Sequence, residues 1–292
     1  MISELRALVR ISRPYYVIQA IAPPVAGYAS ASHDFSFLTA AAVGSIFGML
    51  AMAAWAANDL LDSDLDSQGT QKRIKGLYVA GGTGSLLKGN RNRLQRIAIV
   101  YVSLLIFVAL GLATMFSWWF LILAVCCGLV GILYSLPPIR LKSRGLFGAA
   151  VISFSYGLAA LAAGCIAGGG RIGASNLLFG AVMSILVFGY DALGHIIDYE
   201  DDKANGLKTV VVQLGNTNAT RLLAACQVFP ILGLCSLGIA GLLTIRLTGA
   251  AALLGVTVCT AILLLSARNQ RHFSILRLIS VPLLSLSFFL LR

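Results

Sequence analysis

The chain has 292 residues, 58% of them hydrophobic and only 11% charged, with a mean hydropathy of +0.88. A soluble domain carries charge on about a quarter of its residues, so that class is excluded and a polytopic membrane protein is expected. The net charge of +11 raises nucleic acid as a partner, but the placement of the basic residues points to a membrane instead.

In chain order, Arg6 to Pro14 reads as an interfacial entry helix that turns into a first span near 15–32, which Pro23 and Pro24 should kink. Basic residues before an apolar stretch, with A-S-A-S near residue 32, also resemble a cleaved signal peptide. The proline pair breaks that stretch and cleavage would leave eight spans, so retention is the reading adopted. Uncharged runs of spanning length follow at 35–58, 97–139 with room for two spans, 145–170, 172–190, 222–245 and 247–267. A last span near 273–291 makes nine, so the expected fold is all-α, a single domain over 1–292.

The second span ends in NDLLDSDLD, Asn58 to Asp66, with four carboxylates in nine residues. Asn58, Asp62 and Asp66 fall at i, i+4 and i+8, drifting about 40° per step on a helix, so they share one face. The longest polar loop follows, with Lys72, Arg73 and Lys75 and then GGTGSLLKG from Gly81 to Gly89. Glycines beside basic residues can cradle phosphate, although such a turn alone is a weak signal. Spans three and four form a hairpin near Met115 to Trp119, where Trp118 and Trp119 suit the outer interface. Span four runs out in YSLPPIRLKSRG, Tyr134 to Gly145, and Gly168 to Gly170 turns the chain after span five.

Span six enters a second acidic run, DALGHIIDYEDD, in which Asp191, His195, Asp198 and Asp202 lie at i, i+4, i+7 and i+11, again one face. The two runs contain nine of the eleven acidic residues, leaving Glu4 and Asp34 elsewhere. Each is followed by a basic stretch, which suggests two similar halves, about 1–145 and 146–292. With a cytoplasmic N-terminus and nine spans, only Arg171, Arg246 and Arg292 of the 22 basic residues fall on the outer side. That asymmetry places both acidic runs on the cytoplasmic face of a multi-pass protein of the cell (inner) membrane. The six cysteines lie in apolar runs without ligand spacing and read as small buried hydrophobes.

Solvated, fraying helix ends would explain one acidic run, but two periodic runs on one side of the membrane point to a site. Asp191, still inside span six, is the clearest functional candidate, because charge within a span costs about 2.5–3.5 kcal/mol on insertion scales. Converging carboxylates repel unless cations hold them, and Asp and Asn oxygens suit Mg²⁺ together with substrate phosphate. Neighbouring basic residues would then serve a phosphorylated substrate. His195 reads more readily as a satisfied core histidine than as a ligand or base. A di-metal hydrolase stays open at this point, although no nucleophile accompanies the runs.

The residues resemble the UbiA superfamily of intramembrane prenyltransferases. Its N-D-x-x-D-x-x-x-D signature is matched by Asn58, Asp59, Asp62 and Asp66, and its D-x-x-x-D by Asp198 and Asp202, followed by KANGLKT and Gly215. Tyr134 to Gly145 is similar to the family's Y-S-x-P-P-x-R-L-K stretch, whereas TQKRIKGLYVAGGTG departs from its N-x-P-x-R-P-like segment.

The resemblance implies nine helices around a central cavity. It implies Mg²⁺ held by Asn58, Asp59, Asp62, Asp66, Asp198 and Asp202, with Asp191 in the catalytic set. It implies diphosphate contacts from Tyr134, Arg140, Lys142 and Lys208, with Lys72 or Arg73 in the departing segment, and candidate aromatic lining from Phe154, Tyr156, Phe188 and Tyr190. The implied reaction moves an isoprenyl group from an allylic diphosphate to a small aromatic, quinone-precursor acceptor. A terpene cyclase of the same superfamily and a cation-coupled transporter are the alternatives.

Overall fold

The computed structural model describes residues 8–9, 11–61, 91–197, 199–239, 282 and 285. Every regular element among them is helical. The chain enters through a short 3-10 turn, Pro14–Tyr16, into α1 (Val17–Ala31), and a brief turn leads into α2 (Phe37–Leu61). The helix α3 (Arg91–Ala113) pairs with α4 (Trp118–Leu133) across a turn where Ser117 Oγ accepts from Phe120 N at 3.4 Å and caps α4. After a proline loop and a 3-10 turn at Leu141–Arg144 come α5 (Gly145–Phe154), a π-helical segment at Ser155–Ala159, and α6 (Ala160–Ala167). The remaining elements are α7 (Ala174–Ile197), α8 (Tyr199–Ala204), α9 (Val210–Leu214) and α10 (Asn216–Ile239).

Among the described residues four stretches are long and apolar enough to cross a membrane, Phe37–Leu61, Arg93–Ala113, Leu141–Ala167 and Ala174–Ile196, with Trp118–Leu133 apolar but shorter. The expected span at 247–267 lies outside the described residues, as does that at 273–291 apart from residues 282 and 285. Pro23 and Pro24 are buried inside α1, which runs through them without a break.

Helices surrounded by hydrocarbon gain little from apolar burial as such and must associate through close packing. The α1–α6 contact shows how. A Cβ placed on Gly27 would lie 2.1 Å from the Leu161 carbonyl oxygen, and one on Gly164 would lie 1.9 Å from that of Pro24. Only glycine allows these two backbones to approach so nearly. Around this seam, Val43, Ile46, Phe47, Ala109, Phe120 and Ala160 bury one core among α2, α3, α4 and α6. Leu161, Phe179, Met183, Leu186 and Tyr190 bury another between α6 and α7. Ile99, Val100 and Phe107 of α3 and Trp118 and Trp119 of α4 are exposed, forming an apolar surface suited to lipid.

The short turns fix which helix ends lie together. The start of α1 and the ends of α2, α4 and α7 share one end of the bundle. Trp118, Trp119, Gly168 to Gly170 and Arg171 share the other. Of the basic residues described, Arg171 alone lies at that far end.

Candidate functional site

The site is built on the end of α4, where two consecutive residues reach two different helices. Ser135 Oγ donates to Asn58 Oδ1 on the last turn of α2. Tyr134 OH donates to Asp191 Oδ1 on α7 at 2.7 Å and lies 2.9 Å from His195 Nε2. Because adjacent Cα atoms are only about 3.8 Å apart, this pair of bonds brings Asn58 at the end of α2 and Asp191 near the end of α7 to one place.

The network continues past Tyr134. His195 Nδ1 lies 3.0 Å from Asp202 Oδ2, seven residues further along the chain, so one imidazole joins Tyr134 to the second acidic run. Tyr134 has a single proton, which it gives to Asp191, and Asp202 offers only carboxylate oxygens. Both ring nitrogens of His195 therefore face acceptors, an arrangement that suits two N–H donors. Among the described residues Asp191 Oδ2 is buried without a hydrogen bond, with His195 Nε2 at 3.8 Å. A carboxylate oxygen in that state has lone pairs to offer a hard cation such as Mg²⁺. Among the described residues no three His, Cys, Asp or Glu side chains gather as a metal site. Asp62, Asp66 and Asp198, as well as Lys72 and Arg73, lie outside those residues.

Asp59, which the resemblance places in the metal-binding set, lies against Arg13. Its Oδ1 accepts from Arg13 Nη2 at 2.6 Å, and the carboxylate side chain is 2% exposed. Arg13 holds a left-handed backbone, φ 47°, just before the 3-10 turn that leads into α1. Arg140 does the same, φ 39°, before the turn that leads into α5. A non-glycine residue in this region costs about 1–3 kcal/mol, and such residues cluster where side-chain aim matters. Lys142 follows in that turn, buried, and its backbone N–H donates to Tyr134 O at 3.0 Å. Arg144 turns back onto the proline loop, where Nε and Nη2 donate to the carbonyls of Ile139 and Pro138 at 3.0 and 3.4 Å. Lys208 is exposed in the segment after α8, next to buried Thr209, whose Oγ1 accepts from Val212 N and caps α9.

The structure thus brings Asn58, Tyr134, Asp191 and Asp202 into one connected cluster. Arg140 and Lys142 lie within eight residues of Tyr134 on the turn that packs back against it. The aromatic candidates divide: Tyr190 is buried in the α6–α7 core, while Phe154 is 54% exposed on the outside of α5. Two contributors escape sequence reading, Ser135 and Arg13. Their polarity beside a span end was visible, but nothing local marked partners 77 and 46 residues away.

An all-helical membrane protein with its polar site at one end of the bundle is the class that fold and site define. Residues 20–278 match the UbiA prenyltransferase family, and the chain belongs to it. No curated protein sequence matches it significantly. Among solved structures it resembles a UbiA homolog from Archaeoglobus fulgidus bound to GPP and Mg²⁺, with a TM-score of 0.71 and 18% identity, covering 98% of this chain and 99% of that one. The same homolog bound to DMAPP and Mg²⁺ gives 0.71 and 18%, covering 96% and 98%. The apo UbiA homolog from Aeropyrum pernix K1 gives 0.68 and 17%, covering 94% and 97%. At these identities the likeness establishes the fold.

Proposed function

We propose that the protein transfers an isoprenyl group from an allylic polyprenyl diphosphate to a small aromatic acceptor of quinone-precursor type, with Mg²⁺ at the motif end. The observation that carries this reading is the Tyr134–Ser135 pair, which joins Asn58 and Asp191 from the two acidic runs. The similar fold of structures that bind GPP or DMAPP with Mg²⁺ supports the donor and the metal.

Asn58, Asp62, Asp66, Asp191, Asp198 and Asp202 are the proposed oxygen donors, and Asp59 anchors the chain entry through Arg13. Bound Mg²⁺ neutralises the diphosphate so that it can leave. Arg140, Lys142 and Lys208, with Lys72 or Arg73, hold the diphosphate oxygens by charge-assisted hydrogen bonds. The allylic C–O bond breaks with its electron pair on the diphosphate, a carbon of the acceptor ring bonds to the allylic carbon, and the ring proton goes to water. A nine-helix bundle of two similar halves, open to lipid for the isoprenyl tail and with its motif end in the cytoplasm, completes the proposal.

The test is incubation of the purified chain in detergent with a labelled allylic diphosphate, Mg²⁺ and a panel of phenolic or quinone-precursor acceptors. A conjugated product with released diphosphate is expected. Diphosphate release with a lone hydrocarbon would reassign the chain as a cyclase, and no release under any condition would overturn donor ionisation altogether.

A further inference from the structure

We infer that His195 is a positioning residue that sets the orientation of Asp202 through Nδ1 while Tyr134 holds the ring through Nε2. This rests on the proposed role of Asp202 as an oxygen donor to Mg²⁺.

The geometry carries the assignment in three steps. First, the imidazole is contacted at both nitrogens, 2.9 Å from Tyr134 OH and 3.0 Å from Asp202 Oδ2, so its rotation about the side chain is fixed from two directions. Second, its partners come from separate parts of the chain. Tyr134 follows α4, 61 residues before His195, and Asp202 lies seven residues after it. A ring held from outside its own stretch of chain keeps its orientation, and with it that of the carboxylate bonded to its other nitrogen. Third, the carboxylate side chain is 13% exposed and the imidazole 14%, which shields their bond from competing water.

Partners of this kind, one bond removed from a metal, typically change metal affinity about 10–100-fold when they are lost. His195 is thus a core histidine with both nitrogens engaged, and that engagement is what would aim Asp202.

The two nitrogens can be tested separately because two amides mimic them one at a time. The amide nitrogen of asparagine falls near the position of Nδ1, and that of glutamine near Nε2. The experiment measures Mn²⁺ binding to the full chain in detergent by loss of the free-ion EPR signal, with inorganic diphosphate present. A melting temperature is recorded for each variant.

His195→Gln, which keeps the Tyr134 contact and loses the Asp202 contact, should weaken Mn²⁺ binding about 10–100-fold. His195→Asn should recover most of the wild-type affinity, although asparagine is the smaller of the two and leaves more empty volume at this position. Equal affinities for His195→Gln and wild type would overturn the assignment and leave the prenyltransferase reading standing. Weakening in His195→Asn equal to or greater than that in His195→Gln would also overturn it, since a purely structural histidine, which loses more volume with asparagine, predicts that result. Failure of the wild type to bind Mn²⁺ would remove the metal reading and this inference with it.

Discussion

Arg13 and Asp59 form a 2.6 Å ion pair that ties the chain's entry into α1 to the last turn of α2, with the carboxylate almost wholly buried. Removing one member of a buried pair leaves an uncompensated charge, at a typical cost of about 3–5 kcal/mol, reduced here because Arg13 is partly exposed. Arg13→Ala and Asp59→Asn should each lower the melting temperature in detergent, and the double variant should lose less than the two losses combined. Strict additivity in that cycle would show the pair to be uncoupled.

Tyr134→Phe deletes the hydroxyl shared by Asp191 and His195 but keeps the ring. A hydrogen bond to a charged group contributes about 1.5–3 kcal/mol, so kcat/KM for the donor should fall about 10–100-fold. Ser135→Ala removes a neutral bond and should cost less, on the order of tenfold or below. The two are separable by steady-state kinetics, and a larger effect from Ser135→Ala would contradict the order argued here.

Asp62→Ala and Asp198→Ala should each abolish turnover while the protein remains folded in the membrane. Retained activity in both would remove them from the metal site. Chelation of Mg²⁺ with EDTA should likewise stop diphosphate release, and added Mg²⁺ should restore it. Activity that survives exhaustive chelation would exclude the metal from the reaction.

Arg140→Ala should raise the donor KM several-fold with a smaller change in kcat at saturating donor, because the side chain is assigned to diphosphate binding. Arg140→Gly relieves the left-handed backbone as well and should melt no lower than Arg140→Ala. An unchanged KM in both would count against the contact with the donor.

Gly164→Leu forces a side chain into the Pro24 carbonyl and should separate α1 from α6. Overpacking typically costs about 1–3 kcal/mol, and here the obstacle is backbone that cannot rotate away. Loss of monodisperse protein on size-exclusion chromatography, or a clearly lower melting temperature, is the expected result. A variant as stable as wild type would mean that the seam can open without penalty.

Much of the bundle was legible because a bilayer imposes length and apolarity on each span, and α2, α3 and α7 announce themselves by those properties. Asn58, Asp191, His195 and Asp202 were legible because helical spacing places them on common faces. Ser135 was not, since the bond to Asn58 depends on where α4 ends relative to α2, and no local pattern encodes that distance. The same holds for Asp59, whose burial against Arg13 gives it a different neighbourhood from Asn58 one residue earlier. Aromatic character alone also failed to distinguish Tyr190, packed in the core, from Phe154 on the outer face. Hydrophobicity says that a ring avoids water, and in a membrane both locations satisfy that demand.

The π-helical segment at Ser155–Ala159 sets the phase of everything that follows it in the same span. A π turn is in effect one surplus residue in an α-helix, and each α-helical residue advances the side chains by about 100°. Excising a single residue between Ser155 and Ala159 would let the span wind uniformly and swing Gly164 roughly a quarter turn or more away from Pro24. The upper and lower portions of that one helix answer to different neighbours, and a short stretch of loosened winding lets both be met at once.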